Sequence, residues 1–478
     1  MLGNETGSQG PRKRVGIVGG GLAGLAAGCA LADAGLAVTL FERRPYLGGR
    51  ASSYEHPGTG EIVDNCQHVL LGCCTNLIDL YGRIGGQNLI RWYDRLNFIE
   101  PGGRLSEIAA SAWPAPFHTS PTFLRAHALS MRDKLAIARA MLAMMPARPS
   151  DNGQNFKQWL KAHGQTDRAI SRFWEPVLVS ALNEDADQLS VEMAGMVFRD
   201  AFLKSAEAGR MGLPNVPLSE LYSLAGRYME ERGGRVCLRA TIESIEPLSS
   251  GARVRGRGLD GAESETFDHI VLAAPVFAVA RLLPDGPEFA PIRDAAGHFE
   301  PSPITGIHLW FDREITELDH AVLLDRTIQW MFQKSRILSR FTSESGTARG
   351  SYLELVISSS RSLVEKSRQE IIDLAMRELA DFFPIVREAK LVKATVVKEV
   401  HATFSPRPGI EQFRPQPATA DPRVYLAGDW IATGWPATME GAVRSGYMAA
   451  EALLKTSGRP TTILVPDLPA RGLMRLFS

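Results

Sequence analysis

Residues 15–42 read VGIVGGGLAGLAAGCALADAGLAVTLFE, and no other stretch constrains the fold as tightly. The run is apolar enough to imitate a signal sequence or a membrane span. Its punctuation says otherwise. Val15–Val18 is a short strand that stops at Gly19-Gly20-Gly21, Leu22–Ala34 reads as a helix, Gly35 ends it, and Val38–Phe41 resumes a strand before Glu42. Gly19, Gly21 and Gly24 form G-x-G-x-x-G inside this β-α-β unit. Gly19 permits the tight turn, Gly21 lets the backbone approach a pyrophosphate, and Gly24 lets helix pack on strand. The helix start, with Leu22 and Ala23, then faces the phosphates with unpaired N–H groups. Glu42 stands where a carboxylate binds ribose hydroxyls. A glycine-rich buried hairpin is the bland alternative, and the complete unit outweighs it. This is a dinucleotide site.

Composition narrows the rest. A chain of 478 residues with 45% hydrophobic side chains accommodates two to three domains. Its 53 basic and 53 acidic residues show no basic stripe, which gives no reason to expect nucleic acid. Five cysteines, an odd number, suit a reduced intracellular chain better than a disulfide framework. Only one glycine motif is found, so a built-in NAD(P)H domain is not expected.

Leu47-Gly48-Gly49-Arg50 follows the second strand, and VYLAGDWIATGWPATMEGAVRSG spans Val424–Gly446. Val424–Ala427 reads as a buried strand ended by Gly428-Asp429, and Met439–Leu454 as a helix. A strand-end carboxylate can bind a polyol, and a helix start stabilises negative charge on a reduced ring. Together these motifs resemble the flavin-containing amine oxidase and phytoene desaturase superfamily. The resemblance implies FAD as cofactor and an α/β fold, a Rossmann-like FAD-binding domain of the GR2 type with an inserted α+β substrate domain. By the same resemblance the glycines with Leu22, Ala23, Glu42 and Arg43 hold the adenosine diphosphate part. Gly49 and Arg50, then Gly428, Asp429, Thr438, Met439 and Ala442, hold the ribityl and flavin part. Val236 is expected to face the adenine through its backbone, and Ala274-Pro275 to end the strand of HIVLAAP that returns beneath the FAD domain. Arg44, beside Arg43, is read as a solvated or FAD-adjacent charge.

The expected partition is a disordered tail (1–13), FAD-binding parts at 14–110, 216–300 and 413–458, a helical substrate part (111–215), a sheet part (301–412) and a C-terminal tail (459–478). In LSMRDKLAIARAMLAMM, Leu135, Ala138, Met141/Leu142 and Met145 recur at helical spacing. In SRFWEPVLVSALN, Phe173, Trp174, Val177, Leu178, Ala181 and Leu182 do the same. ITGIHLWF, TIQWMFQK, SYLELVIS and LVKATVVKEVHATF read as strands, with a helix at Leu363–Phe383 before the last. An antiparallel sheet backed by helices would place the substrate cavity over the flavin.

DNCQHVLLGCC, Asp64–Cys74, is ambiguous by residue type alone. Cys66, His68, Cys73 and Cys74 lack a second ligand pair at usable spacing, so no metal is expected. Asp-x-x-Gln-His-x-x-x-Gly instead resembles the squalene-associated FAD-dependent desaturases, understood as hydroxysqualene dehydroxylases, although Gly is more usual at Cys66. FWEPVLVSALNED, Phe173–Asp185, and TGWPATMEGAVRSG resemble the same subgroup. The stretch then runs past the flavin, with Gln67 and His68 beside it. The implied activity is reduction of hydroxysqualene to squalene. Carotenoid-type desaturation or saturation, flavin amine oxidation, and a non-catalytic FAD-stabilised binding protein are the alternatives. His68 is the favoured proton donor, since imidazole titrates near neutrality; orienting the flavin by hydrogen bonding is an equal alternative. Gln67 is placed beside it in the reaction site. Trp310 and Trp330 are candidates for shielding a cation, and Trp330 shares a strand face with Phe332. Ordinary core packing is an equal reading of these aromatics.

The expected partner is a long apolar isoprenoid, served by an unidentified electron donor. The tail LPARGLMRLFS, Leu468–Ser478, offers apolar residues beside Arg471 and Arg475 and is a candidate for peripheral membrane contact. A cytoplasmic location, with contact to the inner face of the cell membrane, follows as an expectation.

Overall fold

Strand β1 (Arg14–Val18) is buried from Val15 onward and forms the middle of a five-stranded sheet. A computed structural model describes residues 12–339 and 350–477 of the chain; most of the expected N-terminal tail lies outside them. β2 (Ala37–Glu42) and β4 (His269–Leu272) flank β1, β3 (Arg235–Leu238) lies outside β2, and β5 (Val424–Leu426) lies outside β4. All four pairings are parallel. Parallel strands are covered on both faces, which is why VGIV and HIVL carry almost no polar side chains.

Helix α1 (Leu22–Asp33) is buried over Leu22–Ala32, and small residues permit this. A Cβ on Gly446 of the last long helix would lie 2.2 Å from the Ala23 carbonyl oxygen. The two helices therefore cross nearly backbone to backbone, and a run that imitates a membrane span is a core helix. Among the described residues, no helix is long and apolar enough to cross a membrane.

A second, seven-stranded sheet carries the segments read as inserted strands. Its order is Leu391–Phe404, Pro301–Phe311, Tyr352–Ser358, Trp330–Gln333, His320–Leu323, Arg95–Ile99, Leu105–Ala109. Every pairing is antiparallel except that of 320–323 with 95–99. Arg95–Ala109 thus extends the inserted sheet, although its position before residue 110 assigns it to the cofactor part in sequence. Alternation divides the sheet faces: Leu353, Leu355 and Ile357 pack on helix Arg368–Phe382, while Val356, Trp330 and Phe332 face the opposite way. That helix starts at a Ser367–Glu370 capping box, within the expected Leu363–Phe383.

The helical part contains α2 (Met131–Met144), α3 (Glu175–Leu182) and α4 (Val191–Val197). Phe173, Trp174, Leu178 and Leu182 enter its core. The helix expected from the spacing forms; of its recurring apolar positions Met145 is buried, whereas Leu135 is 67% and Leu142 55% exposed, and Ile137, Ala140 and Met144 turn inward. The apolar residues surround this helix on more than one side, so periodicity alone could not say which stripe turns inward.

Candidate active site

The glycine turn and the start of α1 form one end of a cavity of about 830 Å³. Gly19 holds φ +114°, and a Cβ there would lie 2.6 Å from the Ala273 carbonyl oxygen. At Gly24 the added Cβ would stand 1.9 Å from the Gly19 carbonyl oxygen, so Gly24 packs helix on turn and does not itself line the cavity. Gly21, Leu22 and Ala23 do line it. The helix has no side-chain cap at Gly21, which leaves its first N–H groups directed to an anion. Glu42, 6% exposed at the end of β2, accepts hydrogen bonds from Gly20 N–H and Arg44 N–H, both at 2.8 Å. Its carboxylate and Arg43 border the same cavity.

At the adenine side the expectation shifts by a few residues. Val236 is not in the lining; its side chain packs into the core near Gly226. Ala240, Thr241 and Ile242, just past β3, take that place, because the wall is made where the strand leaves the sheet rather than within it. Ala274 and Pro275, after β4, border the cavity as expected.

Toward the other end, Asp429 at the end of β5 accepts a 2.8 Å hydrogen bond from Arg50, whose other terminal nitrogen donates to the Ala402 carbonyl at 2.8 Å. Gly49, Arg50, Gly428 and Asp429 all line the cavity. Helix α5 (Met439–Thr456) begins here, capped by the Thr438 hydroxyl, which accepts Gly441 N–H at 3.1 Å. Thr438, Met439 and Ala442 border the cavity. Glu440 borders it as well, while its carboxylate accepts Leu77 N–H at 2.8 Å and Arg444 Nε–H at 2.7 Å, which fixes the helix start against its neighbour. An uncapped buried helix start, a glycine cradle with little room for Cβ atoms, and a second helix start at the far end fit FAD, whose pyrophosphate would be held at α1, ribose at Glu42 and flavin near Thr438–Ala442.

The DNCQHVLLGCC segment runs along the cavity. Asn65, Cys66, Gln67, His68, Val69 and Leu71 line it. His68 Nδ1 lies 2.7 Å from the Cys66 carbonyl, which only accepts, so Nδ1 carries the proton and Nε2 is the acceptor of the neutral ring. Burial pushes the imidazole below its ordinary value. A standing imidazolium donor, the favoured reading from sequence, is therefore disfavoured near neutral pH; the neutral ring is poised to accept a proton. Burial likewise raises the Cys66 thiol, and the Cys73 side chain and burial raise Cys74. These are protonated thiols, not thiolates. Among the described residues no three metal-ligating side chains are grouped to hold an ion.

Behind the segment lies a charged layer that patterning missed. Lys334 Nζ donates to Asp64 Oδ2 and Gln67 Oε1, each at 2.7 Å, and stands 3.3 Å from Glu354. The Lys334 and Glu354 side chains are 1% and 0% exposed. One ammonium cannot fully compensate two carboxylates: Asp64 is lowered despite burial, while burial, opposed by Lys334 and aided by the Asp64 charge, leaves Glu354 raised to about 7. His308, bonded through Nδ1 to the Tyr352 hydroxyl at 2.9 Å, is pushed down to about 3 by burial. The only signals for this layer were a glutamate inside the strand YLELVIS and a lysine directly after the strand Trp330–Gln333.

The facing wall is apolar. Trp330 and Phe332 stack with ring centroids 5.4 Å apart and planes 5° apart, and both line the cavity with Val356, Val177 and Met196. Trp310 does not. It stacks on Tyr352 at 4.5 Å outside the cavity: it shares the sheet face of Ile304, which does line the cavity, but lies farther along the strand, past His308 and opposite Tyr352. Phe332 and Val356 belong to the wall in its stead.

Comparison with known proteins agrees with this geometry. The family model "flavin containing amine oxidoreductase" matches residues 22–454. The chain is 30% identical over 462 residues to the 15-cis-phytoene desaturase of Solanum lycopersicum, covering 92% of this chain and 77% of that protein. It is 28% identical to the 15-cis-phytoene desaturase of Synechococcus elongatus, covering 94% and 98%. Wild-type putrescine oxidase superposes with a TM-score of 0.70 at 17% identity, covering 93% of this chain and 99% of that one. Cyclohexylamine oxidase from Brevibacterium oxydans gives 0.65 at 18% identity, covering 94% and 100%. The cradle, the two helix starts and these matches agree: the chain is a FAD-dependent oxidoreductase and belongs to the flavin-containing amine oxidoreductase family.

Proposed function

We propose that the substrate is a long apolar isoprenoid alcohol and that the reaction is reductive dehydroxylation of hydroxysqualene to squalene. The observation that carries this reading is where the subgroup-like stretches lie. Asp64–Gly72, Phe173–Asp185 and Thr433–Gly446 are remote in sequence, yet each contributes to the wall of the one cavity, through Gln67 and His68, Val177 and Ala181, and Trp435 and Thr438. The likeness is concentrated where substrate would sit.

FAD bound in this cavity supplies hydride transfer to or from the substrate. The protein's own work is to hold the chain and exclude water. Protonation of the allylic hydroxyl, loss of water and hydride capture convert R–OH to R–H, with one proton and one hydride consumed. The parallel rings of Trp330 and Phe332 present π faces suited to a developing cation. His68, held by Cys66, would pass through its protonated form only transiently, and its depressed basicity makes that form a stronger acid.

A second reading has its own support. The phytoene and ζ-carotene desaturases among the relatives span nearly the whole chain and favour dehydrogenation of a polyene. A neutral His68 with a free Nε2 lone pair suits removal of a proton as hydride departs. One anaerobic single-turnover experiment separates the two. Reduced holoprotein mixed with hydroxysqualene should reoxidise and yield one equivalent of squalene. Flavin that stays reduced there, while oxidised holoprotein is bleached by phytoene, would overturn the first reading in favour of the second.

A further inference from the structure

The exposed apolar side chains are gathered on one part of the molecule. Among the described residues seven large apolar side chains are more than half exposed, and six of them are Trp113, Leu124, Met131, Leu135, Leu142 and Leu476. The seventh, Val392, sits on the edge strand of the seven-stranded sheet. On α2, Met131, Leu135 and Leu142 form an outward apolar stripe, the reverse of what a water-facing helix presents. The C-terminal turn, Gly472–Phe477, is fixed beside them. Leu473 N–H donates to the Ala115 carbonyl at 2.8 Å, and Met474 is buried. Arg199 clasps both the Phe477 and Met145 carbonyls, at 2.5 and 2.9 Å, tying the turn to the end of α2.

Charge on this face departs from the balance of the chain. Between 110 and 148 and between 468 and 478 there are seven basic residues and one acid. The acid, Asp133, is 3% exposed and engaged in the Ser130 capping box. Arg125, Arg132, Arg139, Arg148, Arg471 and Arg475 are exposed. Apolar side chains with Trp among them, rimmed by arginine and with no exposed acid in these two segments, match the interfacial zone of an anionic bilayer. The face also adjoins the site. α2, α3, α4 and the C-terminal turn share one core, and α3 and α4 form the cavity wall. Asp200, in that wall, pairs with the rim residue Arg148 at 2.7 Å.

We propose that this face, made of 113–125, α2 and the C-terminal turn, docks on an anionic lipid bilayer with its apolar stripe in the acyl boundary. The use of such docking, drawing hydrocarbon directly into the cavity, rests on the isoprenoid reading; the docking itself does not.

The test is flotation of the full-length FAD-loaded protein with vesicles of phosphatidylcholine alone or mixed with phosphatidylglycerol. The protein should float with the mixed vesicles, less so as salt rises. Leu135→Glu/Leu142→Glu should stay at the bottom while keeping its FAD and melting temperature. Arg132→Glu/Arg139→Glu serves as a second variant, with the same expectation, and Val392→Glu should float like the wild type. Turnover of detergent-dispersed substrate should be unchanged in the double leucine variant, and turnover of vesicle-borne substrate should fall roughly tenfold. Wild-type protein that stays at the bottom with mixed vesicles overturns the proposal, as does a double leucine variant that floats normally. A wild-type dimer dissociated by the same substitutions, without flotation, would show that a second copy covers the face. Flotation needs no turnover, so a wrong substrate does not obscure its outcome.

Discussion

The two walls of the cavity are built by different means. The cofactor wall is backbone: Gly19, Gly21, Gly49 and Gly428, helix starts at Leu22 and Met439, and strand ends at Glu42 and Asp429. The substrate wall is side-chain volume, contributed by Leu96, Val177, Met196, Trp330 and Val356 from elements far apart in the chain. A backbone wall tolerates almost no substitution and demands particular residues in short windows. A side-chain wall can be repacked with other apolar residues at modest expense.

The sharpest way to break that contrast is to enlarge one residue behind the cofactor wall and one in the substrate wall. Gly24→Ala places a Cβ 1.9 Å from the Gly19 carbonyl oxygen, a backbone atom, so no rotamer relieves the clash. The purified variant should lack visible flavin absorbance. Ala181→Leu adds more volume to the opposite wall, yet should keep its FAD and lose only substrate binding. If Gly24→Ala retains a full complement of FAD, the cradle is less exacting than its geometry indicates.

Next in size is the charged layer behind the flavin-facing segment. Lys334→Met leaves Asp64 and Glu354 buried without their cation. Unfolding in denaturant should show a loss of about 3–5 kcal/mol, the usual effect of removing one partner from a buried pair. Adding Asp64→Asn should recover much of it. A Lys334→Met loss within experimental error of zero would mean that water or rearrangement already compensates the carboxylates.

The same layer sets a pH signature. His308 is pushed down to about 3 in the folded protein, so on acidification below about pH 6.5 the unfolded chain takes up the proton first and stability falls. Glu354, raised to about 7, acts oppositely: the folded protein keeps a proton that the unfolded chain releases, so stability falls as pH rises from about 4.5 to 7. The two slopes oppose each other between about pH 4.5 and 6.5. Glu354→Gln should expose the His308 slope there, steepening the acid loss by on the order of 1 kcal/mol per pH unit. Denaturant unfolding across that range checks it; a flatter profile in Glu354→Gln would reverse the assignment.

These differences explain what could be read before the fold was known. The β-α-β unit and G-D strand end are local patterns whose backbone demands only certain residues meet, so Gly19, Glu42 and Asp429 were legible. Val236 was misplaced because a strand's exit, not its middle, makes the wall, and single-sequence patterning does not resolve that boundary. Trp310 and Trp330 looked alike as strand aromatics. Both share one face of the sheet, and how far along it each lies depends on pairing with 352–358: Trp330 stands opposite Val356, which lines the cavity, and Trp310 opposite Tyr352, which does not. The outward stripe of α2 was not legible for a related reason: an apolar stripe seeks burial, and the sequence does not say whether protein or another apolar phase provides it. Lys334 and Glu354 were invisible because a buried charge depends on partners from other segments, Asp64 above all.

The smallest effect falls on the substrate wall and sharpens the contrast from that side. Trp330 contributes its ring face to the cavity and its Nε1–H to the Ser180 hydroxyl on α3, so it ties the sheet wall to the helical wall. Trp330→Phe keeps an aromatic face against Phe332 but removes the donor and part of the ring. The lost hydrogen bond is exposed to partial compensation by solvent, so about 1 kcal/mol is expected. That corresponds to a KM several-fold higher with FAD content unchanged. Ser180→Ala should reproduce most of the KM change if the tie between walls matters. If instead Trp330→Phe lowers kcat while Ser180→Ala is silent, the ring face acts on the reacting carbon directly, and the substrate wall takes part in chemistry rather than only in binding.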